Sequence, residues 1–306
     1  MCFFAACLIR IIPLYMNIMM GYIAGKVLGA NRDTIARIMF YMINPIVVFN
    51  GIIHTKLKTD ILILPILTFL ISCGLCLVFL KIARKIWSDS LCPLVAYSAG
   101  SGATGYFGLP MALMLFDEQG EGVYIMSFLG VTFFENTLGI YIFSPERETA
   151  MQSVRKFLKL PALYALVGGL LFNLLHIPIH EIFEEFMKHV KGTYIVLGMM
   201  IVGLGLSGLT HFKIDFKFLG LTFLAKFLVW PAVILAIIFI DYHSIQFFNQ
   251  TIYNALVLIS IVPLAVNTVI IASLTNSYPE KAATAVLLST ILALFYLPMM
   301  AYYFIV

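Results

Sequence analysis

Apolar runs of about twenty residues alternate along the chain with short polar breaks. The runs fall at 5–27, 35–53, 61–80, 92–116, 122–143, 160–177, 193–210, 217–240, 253–274 and 283–305. A hydrocarbon core of roughly 30 Å takes about 20 helical residues to cross, so each run is long enough, or nearly so, to span a bilayer. Water is absent from that core, and every backbone polar group must be satisfied within a helix or a closed barrel. The runs are continuous rather than alternating every second residue, which selects helices over barrel strands. The pattern predicts an all-α integral membrane protein of ten transmembrane helices.

Composition agrees with that pattern and removes other classes. Of 306 residues, 62% are hydrophobic and 11% charged, with a mean hydropathy of +1.01. Soluble domains carry about 45–50% apolar and about 25% charged residues, so a water-soluble globular protein is excluded. With 26 Phe, 15 Tyr and 2 Trp the chain is not disordered. A net charge of +4, scattered between apolar runs, points to no nucleic-acid partner. Ten spans and their connections use up the length, leaving no soluble catalytic domain and no expected enzyme activity. Cys2 and Cys7 stand near the start, and Cys73, Cys76 and Cys92 lie in or beside apolar runs, where thiols pack as small apolar groups. The first run lacks the basic flank and small-residue cleavage site of a signal peptide and is expected to be the first span.

Charge in the connections sets the expected orientation. Alternate connections, starting with that between spans 1 and 2, carry eleven Lys and Arg, among them Arg32, Lys81, Lys85, Lys213 and Lys281. The others carry four, Lys56, Lys58, Lys188 and Lys191. The first set is expected to be cytoplasmic, with both termini on the other side. The longest cytoplasmic connection, 144–159, separates a first repeat of five spans (1–143) from a second (160–306). An odd number of spans per half forces the halves into opposite orientations, as in an inverted repeat. The interrupted spans are numbers 4 and 9, equivalent positions in the two halves. Span 4 contains Gly100-Ser101-Gly102-Ala103-Thr104-Gly105-Tyr106-Phe107-Gly108-Leu109-Pro110, and span 9 contains Val262-Pro263-Leu264-Ala265-Val266-Asn267-Thr268. Glycine density and mid-span proline weaken a helix, and paired interruptions of this kind point to a transporter binding site.

Several of these stretches resemble the auxin efflux carrier family of transporters, which includes bacterial malate and malonate permease-like proteins and plant auxin exporters. They are Ile12-Pro13-Leu14 with Gly21-Tyr22-Ile23-Ala24-Gly25-Lys26, Asn44-Pro45, Gly105-Tyr106-Phe107-Gly108-Leu109-Pro110, Val262 to Asn267, Ser289-Thr290 and Leu297-Pro298. The resemblance runs along nearly the whole chain, in order and spacing. One departure is Ala103, where many members carry an Asn; an amide is missing on that side, and the substrate class stays open. The short 144–159 connection is similar to that of bacterial-type members, which implies a bacterial inner membrane. The resemblance implies a scaffold bundle of spans 1, 2, 6 and 7, a moving transport bundle of spans 3–5 and 8–10, and a crossing of spans 4 and 9 at mid-membrane. It also implies a homodimer formed through the scaffold.

A broken helix exposes unpaired N–H groups at the start of its second half, which carry roughly half a positive charge. Two such ends would bind an anion without a buried cation. The expected substrate-binding positions are Ser101, Gly102, Thr104, Gly105, Pro110, Pro263, Asn267 and Thr268, with Asn44 on a cavity wall. Glycines would admit the ligand to the backbone, and the hydroxyls and the amide would donate. Glu135, inside span 5, is an ionisable group in hydrocarbon and must face protein or water. Lys226 sits in span 8 at matched depth, which allows a pair with Glu135. Glu135, Asn136 and Lys226 are the expected proton- or cation-coupling positions; a structural ion pair, or Lys226 reaching for the surface, is the alternative. His176, His180 and His189 lack metal-ligand order, and Gly203-Leu204-Gly205-Leu206-Ser207-Gly208 follows no strand, so no metal or nucleotide cofactor is expected.

The expected function is secondary transport of a small organic anion by alternating access, coupled to a proton, to sodium or to neither. Malate- or malonate-like dicarboxylates and auxin-like aromatic monocarboxylates both remain open. A transporter-like receptor is the alternative. A channel would repeat its special segment by symmetry, and a membrane-embedded enzyme would need a nucleophile–base set that the spans lack.

Overall fold

The structure, a computed structural model, describes residues 3–143, 158–208 and 214–304, with side chains from residue 12 onward. Most of the 144–159 connection, including Arg147, Arg155 and Lys156, lies outside the described residues, as do Lys213, Cys2 and the Cys7 side chain.

The described residues are 82% helical and contain no strand. In chain order the helices are α1 (Phe3–Val27), α2 (Arg32–Ile53), α3 (Thr59–Ala83), α4 (Leu91–Gly100), α5 (104–115) and α6 (Glu118–Tyr141). They continue as α7 (Pro161–Leu174), α8 (Glu181–Ser207), α9 (Phe216–Ile245), α10 (Gln250–Ile261), α11 (Asn267–Leu274) and α12 (Pro279–Phe304). Six of them, α2, α3, α6, α8, α9 and α12, are long and apolar enough to cross a membrane. The remaining expected spans correspond to α1, to the shorter α7 and to two interrupted pairs, α4–α5 and α10–α11.

The polar breaks supply caps. Asn31 accepts from Thr34 N–H at 3.0 Å, Asp117 from Gly120 N–H at 2.9 Å, Asp215 from Phe218 N–H at 3.1 Å and Asn249 from Ile252 N–H at 3.0 Å. Each satisfies an orphan donor of the first turn and contributes about 1 kcal/mol. One boundary differs from expectation. The apolar run starts at 193, but α8 begins at Glu181 and continues unbroken to Ser207. Nothing between Glu181 and Gly192 stops a helix, and the charged first turns simply extend it beyond the apolar segment.

Three helices widen into a π-turn just before a proline: Met39–Ile43 ahead of Pro45, Thr104–Gly108 ahead of Pro110, and Leu224–Val229 ahead of Pro231. Proline lacks an N–H and clashes with the carbonyl four residues back, and one extra residue in the turn relieves both.

Small residues set the closest approaches. A methyl at Gly21 would strike the backbone of Met200, and one at Gly203 the Ile18 carbonyl, so α1 and α8 lie backbone to backbone. Thr68 of α3 donates to the Ser127 carbonyl of α6 at 2.7 Å, beside Gly130. Asn173 of α7 donates to the carbonyls of Ile52 and Thr55 at 2.8 and 2.7 Å, closing the end of α2.

Candidate functional site

Helix α4 stops at Gly100, where Ser101 turns extended (φ −98°, ψ 173°). Helix α10 stops at Ile261, where Val262 does the same (φ −66°, ψ 152°) and Pro263 has no N–H to continue the ladder. The two breaks touch: the Ala103 N–H donates to the Pro263 carbonyl at 2.9 Å. Leu264 N–H donates to Ser289 Oγ of α12 at 3.1 Å. At the starts of the second halves, the N–H groups of Gly105 and Tyr106 on one side and of Val266 and Asn267 on the other find no acceptor among the described residues.

These four residues line a cavity of about 310 Å³. Its other walls come from Phe40 and Asn44 of α2, Thr132 and Glu135 of α6, and Tyr194 of α8. The volume is at the lower end for a small-molecule site. Glu135 is 7% exposed, and its Oε2 accepts from Asn267 Nδ2 at 2.8 Å. The Gly102 backbone N–H faces the same carboxylate, while Oε1 has no hydrogen-bond partner. A carboxylate with an open oxygen thus stands in the cavity wall, tied by one amide to the far helix break.

Lys226 does not reach Glu135: no ion pair joins them among the described residues. The π-turn of α9 carries Lys226 and Trp230 to the broken end of α4. There Lys226 Nζ donates to the Ser101 carbonyl at 3.3 Å and Trp230 Nε1 to the Ala99 carbonyl at 2.7 Å. Lys226 Nζ also lies 4.8 Å from the Trp230 ring centre. A cation and an indole N–H therefore satisfy carbonyls that the end of α4 leaves unpaired, where the helix dipole is negative. Gly102 separates the two ionisable groups; a methyl there would stand 2.5 Å from Lys226 Nζ.

Of the residues expected at the site, Asn44, Gly102, Thr104, Gly105, Pro263, Asn267, Glu135 and Asn136 line the cavity. Asn136 spends its amide N–H on the Thr132 carbonyl of its own helix at 2.8 Å. Ser101, Thr268, Pro110 and Lys226 lie behind the wall. The hydroxyls of Ser101 and Thr268 are buried without a partner. Pro110 packs on Gly198 of α8, where a methyl would stand 3.0 Å from its ring.

Three tyrosines in the wall, Tyr97, Tyr106 and Tyr194, were not expected there. Tyr194 donates to the Gly105 carbonyl at 3.3 Å, and Tyr124, behind it, to the Thr104 carbonyl at 3.0 Å. The available signal was the hydroxyl itself: a tyrosine in an apolar span needs a polar partner, and interrupted helices offer spare carbonyls.

Comparison with the curated proteins finds no match. A family model described as "Membrane transport protein" matches residues 145–301, just over half of the 306 residues. That stretch contains α7 to α11 and most of α12, with the second helix break, Asn267 and Lys226. This integral membrane chain belongs to that family of membrane transport proteins, the auxin efflux carrier family whose motifs its sequence resembles.

Proposed function

We propose that this protein is a secondary transporter of a small organic anion, a carboxylate, which it binds where the two broken helices meet. The observation that carries this is the bond from Ala103 to Pro263 beside a cavity lined by unpaired N–H groups from both breaks. Backbone donors bind an anion without a permanent cation, so release on the far side stays easy. In this reading the chain forms ten spans in two inverted halves, with α4–α5 and α10–α11 crossing at mid-membrane. α1, α2, α7 and α8 are the scaffold, through which two copies would pair. The remaining helices move as a unit, giving alternating access across a bacterial inner membrane.

Glu135 is the coupling position. Its open oxygen takes a proton or joins Asn136 in holding a sodium ion, and its other oxygen reports that event to Asn267. Lys226 acts from behind, through the Ser101–Gly102 backbone. Among the described residues no Lys or Arg lines the cavity, which favours one carboxylate per site.

The test is transport in proteoliposomes, offering malate, malonate, acetate and indole-3-acetate in turn, each with and without sodium and a pH step. Saturable current or counterflow uptake with one acid is the expected outcome. No current and no counterflow with any of them would reject carboxylate transport and shift the weight to a receptor built on a transporter fold.

A further inference from the structure

A second cavity, of about 500 Å³, adjoins the central one and shares Val202, Val266 and Thr290 with it. Gly29, Asn31 and Gly208 at its rim are exposed, on the face where α1 leads into α2 and α8 ends. Arg32 stands in its wall. The Arg32 Nε is buried and has no hydrogen-bond partner, and no ion pair among the described residues includes Arg32. Its acidic neighbour is Asp33, the next residue of the same helix. Gly205 of α8 borders the guanidinium; a methyl there would meet Nε at ordinary contact distance, 3.7 Å. Inward of Arg32, the Tyr106 hydroxyl is within electrostatic reach of both Arg32 and Glu135. The order from the surface is thus a guanidinium, a phenol, then the central cavity.

A buried donor without an acceptor is costly, and the planar guanidinium is the side chain best matched to a carboxylate. Among the described residues the central wall offers an anion backbone N–H groups but no Lys or Arg, whereas the vestibule offers the Arg32 guanidinium. We propose that Arg32 forms a second carboxylate-binding station in this vestibule, occupied by the transported acid between bulk water and the central cavity. This rests on the carboxylate-transport reading.

The test uses the full chain in nanodiscs, with malonate, acetate or indole-3-acetate as probe and phenylglyoxal as the arginine reagent, read by peptide mass spectrometry. At ten times its dissociation constant the acid should slow modification of Arg32 about tenfold by occupancy alone. Arg37, exposed on the same helix, should react at an unchanged rate. In proteoliposomes, Arg32→Gln should raise KM roughly tenfold or more for acid offered on the vestibule side, the loss of a charge-assisted bond. KM from the opposite side should stay put, and Arg32→Lys should recover part of the effect. Equal Arg32 modification with and without every acid overturns the station, as does a KM raised alike from both sides. Failure of the wild-type protein to transport any acid while Arg32 is still protected would instead remove the transport reading and leave the station standing.

Discussion

At the scale of single residues, the central question is what Glu135 and Asn267 do for each other. The amide gives one N–H to the carboxylate at 2.8 Å and keeps its carbonyl for something else, while the carboxylate keeps one oxygen open. Glu135→Gln keeps the shape and an acceptor for Asn267 but removes the charge. Binding of the acid should remain measurable, and the dependence of transport on pH and on sodium should disappear. A variant with the wild-type pH and sodium profile would show that Glu135 does not couple. Asn267→Ala removes the link itself and should weaken acid binding roughly tenfold, the worth of one hydrogen bond to a charged group. Unchanged affinity in a titration would show that the amide serves Glu135 alone. Both residues were legible in the sequence because a carboxylate or an amide inside an apolar run is conspicuous. Tyr194 was not: tyrosine is an ordinary wall residue of a membrane helix, and only the fold brings its hydroxyl to the Gly105 carbonyl. The expected Glu135–Lys226 pair followed from depth alone, which says nothing about the glycine that stands between them.

At the scale of helices, glycine and proline do two different jobs. Pro45, Pro110 and Pro231 each follow a π-turn, and those turns carry or adjoin Asn44, Thr104, Gly105 and Lys226. Sequence alone marks the prolines, but the choice between a kink, a break and a widened turn depends on neighbouring helices that offer or withhold partners. Gly21 and Gly203 instead let α1 and α8 touch backbone to backbone. Gly203→Ala would place a methyl against the Ile18 carbonyl, which is main chain and cannot step aside, so the helices must part. Overpacking of this kind costs about 1–3 kcal/mol. The variant should melt several degrees below wild type in detergent, whereas Gly220→Ala, where nothing stands within 4 Å, should melt like the wild type or slightly above it. Equal melting of the two variants would contradict the close approach.

At the scale of the whole molecule, ion pairs mark opposite ends of α8. At the end reached by its C-terminus, Lys281 at the start of α12 hydrogen-bonds Asp215 at the start of α9, 2.7 Å apart. That ammonium holds the Asp215 carboxyl below its usual range, helped by the Phe218 N–H. A carboxyl depressed in the folded state stabilises fully above its unfolded value, about 3.9, and loses that contribution as pH falls through the lower folded value. Asp215→Asn should therefore melt below wild type at pH 7, and the gap should close on acidification. A gap independent of pH would assign the loss to the helix cap instead.

At the other end, Glu121 near the start of α6 pairs with Lys191 in the first half of α8. Under the proposed division these helices belong to different bundles, so the pair bridges the moving unit and the scaffold on the face opposite the Arg32 vestibule. The vestibule has an exposed rim, while Glu121 is 3% exposed. In the proposed transport cycle, the pair would latch one face while the vestibule stays accessible from the other. Removing one partner of a fully buried pair costs about 3–5 kcal/mol; the Lys191 side chain is 23% exposed, so the cost here is smaller. Lys191→Met should melt below wild type, and adding Glu121→Gln should restore part of that loss, because the stranded carboxylate is gone. The double variant, with no latch and no stranded charge, tests the bridging role itself. It should spend more time open at the latched face, so phenylglyoxal confined to the vestibule side should modify Arg32 more slowly than in wild type. An unchanged rate would make the pair a local clamp between two helices rather than a gate between two bundles.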